Sequence, residues 1–134
     1  MVQKRNNWYM GPRKSKYGAK KASVDGESFD SGKEAKRWKQ LQLMERAGKI
    51  NSLQRQVKYM ILPEHREPDT RGPRGGIKRG RIIERARFYV ADFVYYDVDA
   101  RQAVVEDCKG FRTEAYKLKK AMMYDRYGIR IRET

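Results

Sequence analysis

The chain has 134 residues, with 32 Lys or Arg against 17 Asp or Glu, for a net charge of +15. Its 15.9 kDa and 39% hydrophobic content suit one core, and its mean hydropathy of −0.99 excludes an integral membrane protein. One cysteine, Cys108, and one histidine, His65, exclude disulfide scaffolds, structural zinc and c-type haem.

No apolar leader opens the chain, so the expectation is a cytoplasmic protein with no membrane partner. A fold tolerates this much like charge most readily beside a polyanion, and nucleic acid is the first candidate. Residues 1–21 hold seven Lys or Arg and no acid, with Gly11, Pro12 and Gly18 breaking any period. They read as a flexible basic arm along phosphates, ahead of a single domain at 22–134.

Ser23 to Phe29 reads as a small hairpin turning at Asp25-Gly26. Ser31 and Glu34 fit a capping box for a helix running to about Ala47, with Trp38, Leu41 and Met44 as its stripe and Gly48 as its stop. Glu34 falls on the stripe side, so its carboxylate has two readings, the cap or an inward-facing acid. Leu53 to Leu62 alternates as a strand and closes at Pro63.

Residues 64–81 carry six basic residues against three acids among Pro and Gly, and predict a long loop or floppy hairpin inserted in the domain. Ile82 to Tyr96 is strongly strand-forming. A turn at Asp97 to Arg101 leads into a strand from Gln102 to Lys109, ending at Gly110. Thr113 caps a second helix, Glu114 to Tyr127, with Leu118, Ala121, Met122 and Asp125 on one side, and Gly128 stops it. Ile129 and Ile131 alternate with arginines as a last short strand. The order predicts an α/β or α+β unit, a mixed sheet flanked by helices.

Alternation puts Asp107 and Lys109 on one strand face and Glu106 on the other. The preceding strand carries Asp92, and a hairpin pairing would bring it to Asp107. Two carboxylates held together need a proton or a cation between them, and hard oxygen ligands suit Mg²⁺ or Mn²⁺. Spacing leaves open whether Glu106 or Asp107 is the second carboxylate; the face shared with Lys109 favours Asp107. Salt-bridged acids on a plain basic protein are the simpler alternative. Cys108 reads as a small packed apolar residue.

Asp92, Asp107-x-Lys109 at a strand end and the earlier helical Glu34 resemble the PD-(D/E)xK nuclease superfamily. Several stretches resemble more narrowly a family of small phage and prophage proteins assigned as endonucleases. These are Lys16 to Lys20, Phe29-Asp30-Ser31 with Glu34-Ala35, Ala91 to Phe93, Val105 to Gly110, Tyr116 with Lys120, and Tyr127 to Ile129. The set is also similar to Holliday junction resolvases. It departs from the superfamily pattern at Ala91, where a proline would stand.

The resemblance implies a restriction-endonuclease-like αβββαβ core and a metal-dependent DNA endonuclease. Branched DNA in phage replication or recombination would be its substrate, and a homodimer its working state. Glu34, Asp92, Asp107 and Lys109 would be catalytic. Mg²⁺, one ion or two, would be held by Asp92, Asp107 and Glu34, with the Cys108 backbone carbonyl as a further ligand. Gln56 and Tyr116 would support the site. Lys16, Lys20, Lys21, Arg74, Lys78, Arg79, Arg81, Lys117 and Lys120 would hold the nucleic-acid backbone. The competing function is a non-catalytic DNA- or RNA-binding protein, which would lack an acidic cluster set in its basic surface.

Overall fold

Strand-forming residues, capped helices and Gly-marked turns follow one another along the chain in the computed structural model, which describes residues 22–24 and 26–134. The expected arm at 1–21, with Lys16, Lys20 and Lys21, lies outside them. The elements are β1 (Ala22–Val24), β2 (Glu27–Phe29), α1 (Gly32–Arg46), β3 (Ile50–Leu62), β4 (His65–Arg66), β5 (Thr70–Arg71), β6 (Ile77–Lys78), β7 (Ile82–Glu84), β8 (Arg87–Asp97), β9 (Gln102–Asp107), α2 (Glu114–Tyr127) and β10 (Arg132–Glu133). Among the described residues no helix is long and apolar enough to cross a membrane.

One mixed sheet runs in the order β10-β9-β8-β3, with β10 parallel to β9 and the other pairs antiparallel. Together with its two helices it makes a mixed α+β unit. α1 starts where the Ser31 hydroxyl accepts the Glu34 amide at 3.1 Å. It buries Ala35 and Leu41 and half-buries Trp38 and Met44 against the sheet. Trp38 stacks on Phe93 with ring centroids 5.8 Å apart. α2 starts at Thr113, whose hydroxyl accepts the Tyr116 amide at 3.1 Å, and ends at Gly128 in left-handed backbone.

The packed side of α2 differs from the expected stripe. Tyr116 and Met123, two turns apart, are buried, Met122 is half-buried, and Leu118 points to solvent. Apolar identity alone picked Leu118, but the aromatic ring at Tyr116 fills more of the space above the sheet.

Boundaries moved at three strands. β3 begins at Ile50 rather than Leu53, because Ile50 and Asn51 pair with Asp97 and Tyr96 across an irregularity before Gln54. β9 ends at Asp107, so Cys108 and Lys109 stand just past the strand. The last strand is Arg132–Glu133, and Ile131 is a buried core residue before it.

The largest difference is at 64–81. Of the two expected forms, a long loop or a floppy hairpin, the structure shows a hairpin: a two-stranded antiparallel ribbon with β4 paired to β7 and β5 to β6. It also claims Ile82 to Glu84, which splits the single strand expected over Ile82 to Tyr96 into β7 and β8. Pro and Gly here shape a tight turn instead of preventing structure. The Gly75 amide donates to the Gly72 carbonyl at 3.0 Å, the Gly72 amide to the Gly76 carbonyl at 2.7 Å, and Gly75 has φ +81°. Pro73 and Arg74 thus sit at the corner of a four-residue turn followed by a left-handed glycine.

Two apolar cores lie along the sheet. Phe93, Tyr95, Val104 and Ile50 join α1 and the β1–β2 hairpin. Tyr89, Ala91, Val105, Ile61 and Ile131 join α2. On β8 the buried positions keep a spacing of two from Tyr89 to Tyr95, yet the first pair serves one core and the second pair the other. The change falls at Asp92. Its neighbour on β3, between the pairs Arg55↔Phe93 and Val57↔Ala91, is Gln56.

Candidate active site

The seam between the two cores carries the acids. Asp92 projects from β8, Asp107 from the end of β9, and Glu34 from the first turn of α1. Each carboxylate is held by a specific donor. The Cys108 amide donates to Asp92 Oδ2 at 2.8 Å. The Tyr89 hydroxyl donates to Asp107 Oδ2 at 2.6 Å. Gln56 Nε2 lies 3.2 Å from Glu34 Oε1 and 3.5 Å from Asp92 Oδ1, so its amide links helix and strand.

Asp92 is thus held at both oxygens, firmly at Oδ2 and by a long contact at Oδ1, whereas Asp107 is anchored at Oδ2 alone. Asp107 Oδ1 is buried and accepts no hydrogen bond. The Lys109 ammonium stands 3.2 Å from it, in ion-pair contact but off the line of a hydrogen bond. The same ammonium lies over the Tyr116 ring, 4.6 Å from its centre.

Burial and the neighbouring Asp107 carboxylate push the Asp92 pKa up to about 8, from an ordinary 3.8. Below that pH Asp92 carries a proton. Burial likewise raises Glu34, with Asp30 adding to it and Arg55, 3.9 Å away, opposing it. Burial first, then the bond to Asp107, raises the Tyr89 hydroxyl, which keeps it a donor at every ordinary pH.

Glu106 and Asp107 separate cleanly. Glu106 is fully buried on the α1 side, where Arg37 holds it with Nε at 2.5 Å and a second nitrogen at 3.1 Å. The Tyr95 hydroxyl, at 2.7 Å, and the Thr134 hydroxyl, at 3.2 Å, complete its shell. It is a satisfied internal ion pair. Asp107 faces the other way, with Asp92 and Lys109.

Glu34's two readings also resolve. Its amide is capped by Ser31, while its carboxylate turns to Gln56 and Arg55. It reaches Asp92 through the Gln56 amide rather than directly. The Cys108 contact to the acids is through its N–H. Its thiol packs at the edge of the α1 core, 3.3 Å from the Thr134 hydroxyl, and burial raises its pKa.

Tyr116, expected to support the site, lies beside Lys109. Lys120 turns instead to Glu133, which also pairs with Arg112 at 2.5 Å. Lys117 pairs with Glu114 at 3.0 Å on the exposed side of α2. Arg74, Lys78, Arg79 and Arg81 are on the ribbon and exposed, outside this site.

Sequence reasoning missed two participants. Glu133 lies beside Asp107 in the parallel β9–β10 register, which no local pattern signals. Tyr89 has the wrong parity to meet Asp92's face by simple alternation, and only the change of core at Asp92 brings its hydroxyl to Asp107.

Gln56 has φ +51°, a left-handed backbone inside a strand, which costs a non-glycine residue about 1–2 kcal/mol. Strain of this kind marks sites where position matters more than stability.

Among the described residues no three or more His, Cys, Asp or Glu side chains converge as a ready-made metal centre. The donors that fit a hard cation are Asp107 Oδ1, an orphaned buried acceptor, and the neighbouring Asp92 Oδ1, held only by the long Gln56 contact.

No curated protein and no solved structure matches the chain. A family model does match, over residues 14–132, which takes in both helices, β1 to β9, and Glu34, Asp92, Glu106 and Asp107. The chain belongs to the family described as protein of unknown function (DUF1064).

Proposed function

We propose that this protein is a metal-dependent DNA endonuclease of the PD-(D/E)xK type, built on a restriction-endonuclease-like core. The observation that carries the reading is the Asp92–Asp107 pair. Asp92 is tied at Oδ2 by the Cys108 amide and Asp107 at Oδ2 by the Tyr89 hydroxyl, and the unbonded Asp107 Oδ1 lies beside the Lys109 ammonium. The order α1, β3, β8, β9, α2, β10 supports the core assignment.

Asp92 and Asp107 would hold Mg²⁺, or Mn²⁺, with Glu34 reinforcing Asp92 through Gln56. A bound divalent cation lowers the pKa of a water and offsets charge on the scissile phosphate. The Cys108 N–H and the Tyr89 hydroxyl fix the two carboxylates, so their remaining oxygens point without rearrangement. Lys109, kept in place over Tyr116, orients the attacking water and balances negative charge as it builds on the phosphoryl oxygens. Water adds to phosphorus as the bond to the 3′ oxygen breaks, leaving 5′-phosphate and 3′-hydroxyl ends.

Branched DNA is the preferred substrate, and a homodimer would set one site on each of two strands. The test is cleavage of a labelled four-way junction and a matching duplex by wild type and by Asp107→Asn, in Mg²⁺ and in EDTA. Cutting lost in EDTA and in the variant supports the nuclease, and preference for the junction supports the substrate. Tight binding of both DNAs with no cutting in Mg²⁺ or Mn²⁺ replaces this reading with a non-catalytic binder.

A further inference from the structure

The ribbon formed by β4–β7 and β5–β6 is built with more care than a connection requires. Gly80 sits so close to the opposite strand that a Cβ there would meet the Glu67 carbonyl oxygen at 1.7 Å. The Gly80 amide donates to Asp69 Oδ1 at 2.8 Å, and Arg66 clasps the Gly80 carbonyl at 2.9 Å. The Glu67 amide donates to the Arg81 carbonyl at 2.9 Å. With the tight Pro73-Arg74 turn, these contacts fix the ribbon along its length.

What it fixes is charge without partners. Two of the ribbon's three acids are used internally, Glu64 by Arg66 at 2.7 Å and Asp69 by the Gly80 amide, and the third, Glu67, is exposed. Arg71, Arg74, Lys78, Arg79 and Arg81 are exposed and make no ion pair among the described residues. Holding five like charges on a narrow arm costs free energy unless an anion meets them.

The arm's shape narrows the anion. Register places Arg71 opposite Ile77 on one face and Thr70 opposite Lys78 on the other. Ile77 is 80% exposed, an apolar side chain held between cations with nothing to cover it. From His65 to Arg74 the chain can extend at most about 30 Å at roughly 3.3 Å per residue, just short of one turn of duplex, about 34 Å. The major groove of B-form DNA, about 12 Å wide, admits a two-stranded ribbon, and a thymine methyl there accepts apolar contact. The major groove of an RNA duplex is too deep and narrow for side chains to read.

We propose that the ribbon is a groove-docking arm. It enters the major groove of B-form duplex DNA with Arg71, Arg74, Lys78 and Arg79 on phosphates or base edges and Ile77 against the groove floor. This rests on the reading of the protein as one that acts on DNA, and it makes a duplex arm, rather than a single strand, the part of the substrate held.

The test uses the full chain in EDTA, so that binding is read without cleavage. The probes are a DNA duplex, an RNA duplex of the same sequence and a DNA single strand, each titrated over a range of salt. Wild type should bind the DNA duplex best and protect guanine N7 from methylation by dimethyl sulfate. The variant R71A/R74A/K78A/R79A should bind the duplex at least about tenfold more weakly. Its slope of log affinity against log salt should fall by up to about 3.6, at roughly 0.9 per lost contact. It should also lose the N7 protection, while single-strand binding changes little.

Gly80→Ala alters no charge and should weaken duplex binding in the same direction by distorting the arm. Unprotected N7 in the wild type, an unchanged salt slope in the quadruple variant, or equal losses on single strand and duplex would each overturn the proposal. The two readings fail separately. Cleavage that survives the ribbon variants removes the arm and leaves the nuclease, whereas ribbon-dependent binding without cutting in Mg²⁺ removes the nuclease and leaves the arm.

Discussion

Glu106 and Asp107 are consecutive in the chain and point to opposite sides of the sheet, Glu106 into a closed ion pair with Arg37 and Asp107 toward Asp92 and Lys109. The two positions should therefore respond in opposite ways to loss of charge. Glu106→Gln leaves Arg37 without its counter-charge beside a buried amide, and should lower stability by about 2 kcal/mol or more in urea unfolding. Asp107→Asn removes the charge beside Asp92, so above about pH 8, where Asp92 is ionised, it should keep or raise stability, and on the proposed reading it should abolish cleavage. Destabilisation of equal size by both would deny the division.

Asp92 gives a pH prediction with a definite sign. Its pKa is about 8 in the folded chain and near 3.8 in an unfolded one. The folded state holds the extra proton between those values, so its contribution to stability is greatest below about pH 4 and is lost as pH rises to about 8. Thermal unfolding with Asp92→Asn as reference should show that loss. On the proposed reading a divalent cation would displace the Asp92 proton, so its apparent affinity should rise with pH up to about 8, with close to one proton released per ion. Calorimetry in buffers of different ionisation enthalpy measures the release, and none at pH 7 would count against a cation at this pair.

Gln56 couples a strained backbone to a contact between two acids. Gln56→Gly should relieve the left-handed strain and match or exceed wild-type stability by about 1 kcal/mol, while slowing cleavage about tenfold as the amide is lost. Gln56→Ala should lose the amide and keep the strain. Urea unfolding and single-turnover rates separate the two effects, and an undiminished rate in Gln56→Gly would mean that the amide link has no part in the chemistry.

Gly80→Ala should loosen the ribbon alone. The added carbon cannot coexist with the Glu67 carbonyl, so the Glu67 and Gly72 amides should lose protection from hydrogen exchange. The amides of β8 and β9 should keep theirs, since the main sheet does not depend on the ribbon's pairing. Loss of protection throughout would make the ribbon part of the core.

Much of this was written locally in the chain. Ser31, Thr113, Gly48 and Gly128 set the ends of the helices because caps need only neighbouring backbone groups. The opposite parity of Glu106 and Asp107 follows from strand geometry and sorts the two acids, although Lys109, past the strand's end, meets Asp107 only through the fold. The basic balance of 64–81 was equally plain, but its order was not. Ribbon pairing depends on a close approach at Gly80 and a bond to Asp69 that are eleven or more residues apart.

The tertiary structure alone decided what the acids do. Tyr89 reaches Asp107, Gln56 joins Glu34 to Asp92, and Glu133 comes alongside Asp107, all through contacts between elements distant in sequence. Side-chain identity and strand period fix which way a residue points. The proton affinity of Asp92 depends on how much water and which charges surround it, and those are set only when two cores close on either side of one strand.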